Sequence, residues 1–229
     1  MIRAIIFDFD GTLADTIPTL CKGINLTMSV YGYPIHTEAE VLEFINYGAR
    51  ELIRCAMPQA LQTDESLIDR VLADYDKIYG EIFLHTDHCY DGMKALVQDL
   101  HGMGLKIGVL SNKQDRYVKA LCQSVLLPDT YDAAQGVISG KPTKPDPYLS
   151  HLIAQRLAVD PSECIMVGDS DVDIKTAHNA GMRHVGVSWG YREDAFLRAN
   201  GAEYVAHTPE ELKKMIINIK EKESPYAES

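Results

Sequence analysis

Short apolar runs alternate with longer amphipathic ones along most of this chain. Strand-like segments recur at about 2–7, 105–110, 133–138, 163–167, 184–187 and, briefly, 203–206. Apolar positions at helical spacing fill about 92–103, 114–126, 146–157, 171–180 and 208–219. Strand and helix in alternation predict a parallel sheet with helices on both faces, a doubly wound α/β fold. Gly104, Gly140, Gly168, Gly181 and Gly201 stand at the joins, where turns and helix ends use glycine.

Residues 16–85 break the pattern. They show no strand-like alternation, only helical runs at about 17–31, 37–45, 49–56 and 64–84. Gly32-Tyr33-Pro34, Tyr47-Gly48 and Met57-Pro58 interrupt those runs. The expected organisation is a core of residues 1–15 and 86–229 with an all-helical domain, 16–85, inserted between the first strand and the second. The polar tail from about Lys220 is expected to fray.

Chemistry concentrates where strands end. Ile5-Ile6-Phe7-Asp8-Phe9-Asp10-Gly11-Thr12 closes an apolar run with two carboxylates and a glycine turn. In open α/β sheets such strand ends form the ligand-binding edge. Alternation points Asp8 and Asp10 to the same side. One carboxylate can then attack while the other handles protons, and the backbone between them can meet a metal. Ser111 and Asn112 follow the strand ending at Leu110; Asp169, Asp171 and Asp173 follow the one ending at Gly168.

Composition narrows the partners. The 229 residues carry a formal charge of −11, which argues against nucleic acid or an anionic membrane. A site for any anionic ligand in such a chain must be made locally positive. Five scattered cysteines without a Cys-x-x-Cys pair suit reduced thiols and a cytoplasmic setting. The N-terminus has no signal-peptide pattern, and no stretch approaches the roughly 20 apolar residues of a membrane span.

Four motifs in order resemble the haloacid dehalogenase superfamily: Asp8 to Thr16, Val109 to Lys113, Lys144-Pro145-Asp146-Pro147, and Ile165 to Ile174. Tyr90-Asp91-Gly92-Met93 and Gly186 to Tyr191 are similar to its phosphoglycolate-phosphatase-like subgroup. The resemblance implies a Rossmann-like core with strand order 203–184–163–2–105–133 and a helical cap. It implies Asp8 as nucleophile, Asp10 as general acid and base, and Lys144, rather than Lys141, as the charge-neutralising lysine. It further implies Mg²⁺ held by the Asp8 side chain, the Asp10 carbonyl and Asp169, with Asp173 as an outer or direct ligand. Asp171 is expected to cap the helix that starts there. Ser111 and Asn112 would bind the phosphoryl group, and Arg50, in a cap loop, a second anionic group on the substrate. Lys113 is expected near the rim, and His36, His85 and His88 in surface or packing roles. Trp189 and Tyr191 are expected to pack the segment after the fifth strand.

The implied function is a Mg²⁺-dependent phosphatase for a small phosphorylated metabolite, phosphoglycolate being the best single choice. A β-phosphoglucomutase-type phosphohexomutase is the alternative within the fold. The cap of that class normally supplies a histidine soon after the first motif, and Thr16 to Lys22 contains none. Dehalogenation needs no acid at position 10, and a receiver-type phosphoaspartate switch would have no large helical insert. Oligomeric state is left open.

Overall fold

The computed structural model describes residues 1–85 and 89–222. Its innermost strand, Ala4–Phe7 (β1), is buried at every position, as a strand covered on both faces must be. Four helices follow: Ile17–Val30 (α1), Glu38–Phe44 (α2), Ala49–Ala56 (α3) and Glu65–Ile82 (α4). The chain continues through Met93–Gly102 (α5), Lys106–Gln114 (β2), Asp115–Val125 (α6), Ala133–Val137 (β3) and Tyr148–Arg156 (α7). It ends with Cys164–Gly168 (β4), Asp171–Ala180 (α8), Arg183–Val187 (β5), Asp194–Ala199 (α9), Val205–Ala206 (β6) and Pro209–Lys222 (α10).

The six strands form one parallel sheet in the order β3-β2-β1-β4-β5-β6, the order expected. Phe7 is in register with Val109 on one side and Val167 on the other. The Asp8 amide continues the ladder by donating to the Val167 carbonyl at 2.8 Å. Register therefore brings the residues just beyond Phe7, Val109 and Val167 to a common edge.

Alternation along β1 builds both faces of the core. Ile5 and Phe7 pack with Ile107, Val109, Ile165 and Val167 under α5, α6 and α10. Ala4 and Ile6 pack on the other face with Leu110 and Met166 under α7 and α8. Each large side chain so buried is worth roughly 1.5–3 kcal/mol. Helices α1 to α4 have a hydrophobic cluster of their own, centred on Ile24, Met28, Val41, Ile53, Ile68 and Val71. Tyr117 of α6 joins that cluster from the sheet side.

Three local expectations change. Strand β2 runs on to Gln114, so Ser111, Asn112 and Lys113 sit on the strand rather than past it. The short helix α9 was not legible: of its six residues only Leu197 is buried, too little for a helical stripe. Helix α10 extends through Lys222, so the chain is still helical at Lys220; residues 223–229 lie outside the described residues.

His36 packs inside the helical insert, its Nε2 2.8 Å from the Ala56 carbonyl. His85 closes a short 3₁₀ turn at Phe83–His85, and His88 lies outside the described residues. Among the described residues no helix is long and apolar enough to cross a membrane.

Candidate active site

The turn after β1 can close only around a glycine. Gly11 has φ +80, and a Cβ there would stand 2.7 Å from the Tyr191 ring and 2.8 Å from Asp169 Cγ. Neither neighbour is free to yield. The Thr12 hydroxyl donates to Asp169 Oδ1 at 3.1 Å, and the Tyr191 amide donates to Asp169 Oδ2 at 2.8 Å. Trp189 Nε1 donates to the Thr12 carbonyl at 3.1 Å. Trp189 and Tyr191 thus pack after the fifth strand as expected, and what they pack against is the acidic turn. Gly11→Ala is expected to cost about 2–5 kcal/mol, from left-handed strain plus overpacking. A urea midpoint unchanged from wild type would refute that account of the turn.

Lys144 holds the centre of the site. Its Nζ lies 2.8 Å from Asp8 Oδ1 and 2.7 Å from Asp173 Oδ1, with all three side chains buried. Asn112 fixes the lysine's backbone: its Oδ1 accepts from the Lys144 amide and its Nδ2 donates to the Lys144 carbonyl, both at 2.9 Å. The same Nδ2 is 2.9 Å from the carbonyl of Asn46, in the loop between α2 and α3. Asn112 is therefore a clamp between that loop and the Lys144 loop. Lys141 instead lies over the exposed Tyr148 ring.

Helix α8 begins with a capping box that sequence reading placed one residue too late. Ser170, not Asp171, is the N-cap. Its hydroxyl donates to Asp173 Oδ2 at 2.6 Å and accepts from the Asp173 amide at 3.4 Å. Asp171 sits in the first turn, paired with Lys175 one turn on. A serine followed three residues later by an acid is the sequence signature of such a box. Gly168 leaves room for it, since a Cβ there would overlap the Asp173 side chain.

Asp8, Asp169 and Asp173 each offer a carboxylate oxygen, all within 4.8 Å of one another, and all three residues are buried. Burial, then the charge of Asp173, raises the Asp8 carboxyl well above its ordinary value. The same two causes push Asp169 up to about 7. Burial works against the Lys144 charge, but Asp173 and Asp8 hold its pKa above the usual lysine value. Three hard oxygen donors converging where positive charge is short fit a small divalent cation such as Mg²⁺.

Asp10 stands apart from that triad. Its Oδ1 accepts from the Thr16 hydroxyl at 2.5 Å and from Lys113 Nζ at 2.9 Å. Its Oδ2 accepts from the Ser111 hydroxyl at 3.3 Å. The side chain lines the cavity and is not part of the acidic triad.

Residues 5–187 match the family described as haloacid dehalogenase-like hydrolase. The chain belongs to that family. It is 29% identical over 220 residues to a phosphoglycolate phosphatase of Vibrio vulnificus, covering 94% of this chain and 96% of the relative. It is 30% identical over 208 residues to one of Salmonella typhi, covering 83% and 82%. A candidate phosphoglycolate phosphatase from Lactobacillus delbrueckii superposes with a TM-score of 0.84 at 28% identity, covering 93% of this chain and 98% of that one. A β-phosphoglucomutase from Clostridium difficile, at 23% identity and TM-score 0.77, shares the fold, covering 96% and 97%. This haloacid dehalogenase-like hydrolase is thus similar to phosphoglycolate phosphatases over nearly its whole length.

Two basic residues of the hydrolase depart from expectation. Arg50 does not face the cavity. Its guanidinium pairs with Glu65 at 2.6 Å and with Asp69, both on α4, and the side chain is 41% exposed. Lys113, expected at the rim, is buried between Asp10 and the Tyr79 hydroxyl, 3.0 Å away. The cavity of about 80 Å³ is closed on the insert's side by Leu20, Ile45, Leu52, Tyr75 and Tyr79. One water needs about 10–15 Å³, so the space has room for several. Tyr75 and Tyr79 were missed because their i, i+4 spacing reads equally as core packing.

Proposed function

We propose that this hydrolase is a Mg²⁺-dependent phosphatase of a small phosphorylated metabolite, phosphoglycolate first among them, acting through an aspartyl-phosphate on Asp8. The observation that carries this is the buried Asp8–Lys144 pair beside Asp169 and Asp173. Asp8 attacks phosphorus as its P–O bond forms; the ester P–O bond breaks, and its electron pair leaves on the ester oxygen. Asp10 gives that oxygen a proton. It then takes one from water, whose attack on phosphorus returns Asp8 as a carboxylate. Lys144 offsets charge on the phosphoryl group and keeps the nucleophile aligned. The Ser111 hydroxyl, held between Asp10 and the Lys113 amide, faces the same space. Asp8, Asp169 and Asp173, with the Asp10 carbonyl, would hold Mg²⁺, which supplies charge neutralisation and orientation of the phosphate.

In this proposal residues 16–85 form the cap domain that shuts water out of the site. The five free thiols agree with a cytoplasmic setting. Hydrolysis is favoured over the mutase reaction because, among the described residues, none of those lining the cavity is a histidine.

A phosphate-release screen over phosphoglycolate, sugar phosphates, nucleotides and pyrophosphate tests the proposal. Turnover should be highest on phosphoglycolate, vanish on chelation, return with Mg²⁺ and return poorly with Ca²⁺, whose coordination shell is larger and looser. Full activity after exhaustive chelation would overturn the metal assignment.

A further inference from the structure

We infer that Lys113 selects substrates that carry a carboxylate close to the ester oxygen, so that the preferred substrates are phosphate monoesters of short hydroxy acids. The inference deepens the phosphatase reading and rests on it.

Among the described residues lining the cavity, Lys113 and Lys144 are the only cations. Lys144 is engaged by Asp8 and Asp173, where the phosphoryl group must sit. Lys113 is the cation left for the rest of the substrate. Its Nζ, on a side chain only 7% exposed, contacts Asp10 Oδ1 at 2.9 Å and the Tyr79 hydroxyl at 3.0 Å. An ammonium group has three N–H donors, so one remains for a ligand.

The position of Lys113 sets the reach. Asp10 is the residue that serves the ester oxygen, and Lys113 touches the same carboxylate. A group that meets the ammonium therefore lies about one carbon beyond the ester oxygen, where a 2-hydroxy acid carries its carboxylate. The wall around it is apolar or uncharged, formed by Leu20, Leu52, Tyr75 and Tyr79. A second anion in that space has no other counter-charge. Arg50, the remaining candidate, is spent on Glu65 and Asp69 outside the cavity.

The test compares phosphoglycolate with 2-hydroxyethyl phosphate, which keeps the ester and the chain length but lacks the carboxylate. Wild type should prefer phosphoglycolate in kcat/KM by about ten- to a hundredfold, the worth of one charged hydrogen bond. Lys113→Met should lose about that factor more on phosphoglycolate than on the neutral ester, with the excess loss in KM. Lys113→Arg should keep part of the preference. Equal losses on both esters would make Lys113 a brace for Asp10 and Tyr79 and overturn the inference. A wild-type ratio near one would overturn it without any variant, leaving the phosphatase reading intact. Release from neither of these esters, with release from another ester of the screen, would overturn the inference alone; release from no ester in Mg²⁺ would remove the phosphatase reading as well.

Discussion

Asp8→Asn should reduce turnover of every phosphate ester by at least about 10⁴-fold while the fold survives. The amide has nearly the shape of the carboxylate but is no nucleophile, and losses of this size follow removal of a covalent nucleophile elsewhere. Stability should move the other way. Burial and Asp173 raise the Asp8 carboxyl above its ordinary value, so the folded state binds its proton more tightly than the unfolded state does. Above the unfolded pKa of about 3.9, holding Asp8 ionised therefore costs stability, and the cost grows until the pH passes the folded pKa. Asparagine carries no such cost. In chelator at neutral pH the variant should melt above wild type; a lower melting temperature would contradict the crowded-acid account.

Lys144→Met should damage both activity and stability. It leaves Asp8 and Asp173 facing one another in the interior with no cation between them. Removing one partner of a buried pair typically costs about 3–5 kcal/mol. Loss of a preorganised charge at the phosphoryl group costs a further 10²–10³ in turnover, roughly. The loss should be the same on phosphoglycolate and on p-nitrophenyl phosphate, because Lys144 acts on the group the two share. Added Mg²⁺ should recover part of the stability by neutralising the triad. Unaltered urea midpoints would mean that Lys144 does not hold the acids together.

The parts of this site legible in the sequence are those fixed by strand ends. Alternation in Ala4–Phe7 assigned each residue to a face, and acids after apolar runs marked Asp8, Asp10 and Asp169. What failed depended on partners distant in sequence. Lys113 looked like a rim lysine because nothing near it announces Tyr79, 34 positions earlier on α4. Arg50 looked free for substrate because its partners, Glu65 and Asp69, lie on another helix. The Asp171 error was of a different kind. The local signal was present, and Ser170 with Asp173 at the third position was the stronger one.

The most direct test of phosphoryl transfer to Asp8 uses Asp10→Asn with p-nitrophenyl phosphate. That ester's leaving group needs no proton, whereas breakdown of the intermediate needs the Asp10 base. A stoichiometric burst of p-nitrophenolate should appear, and acid-quenched peptide masses should place one phosphoryl group on Asp8. A burst with the phosphoryl group on any other residue, or steady turnover with Asp8 unmodified throughout, would contradict the mechanism.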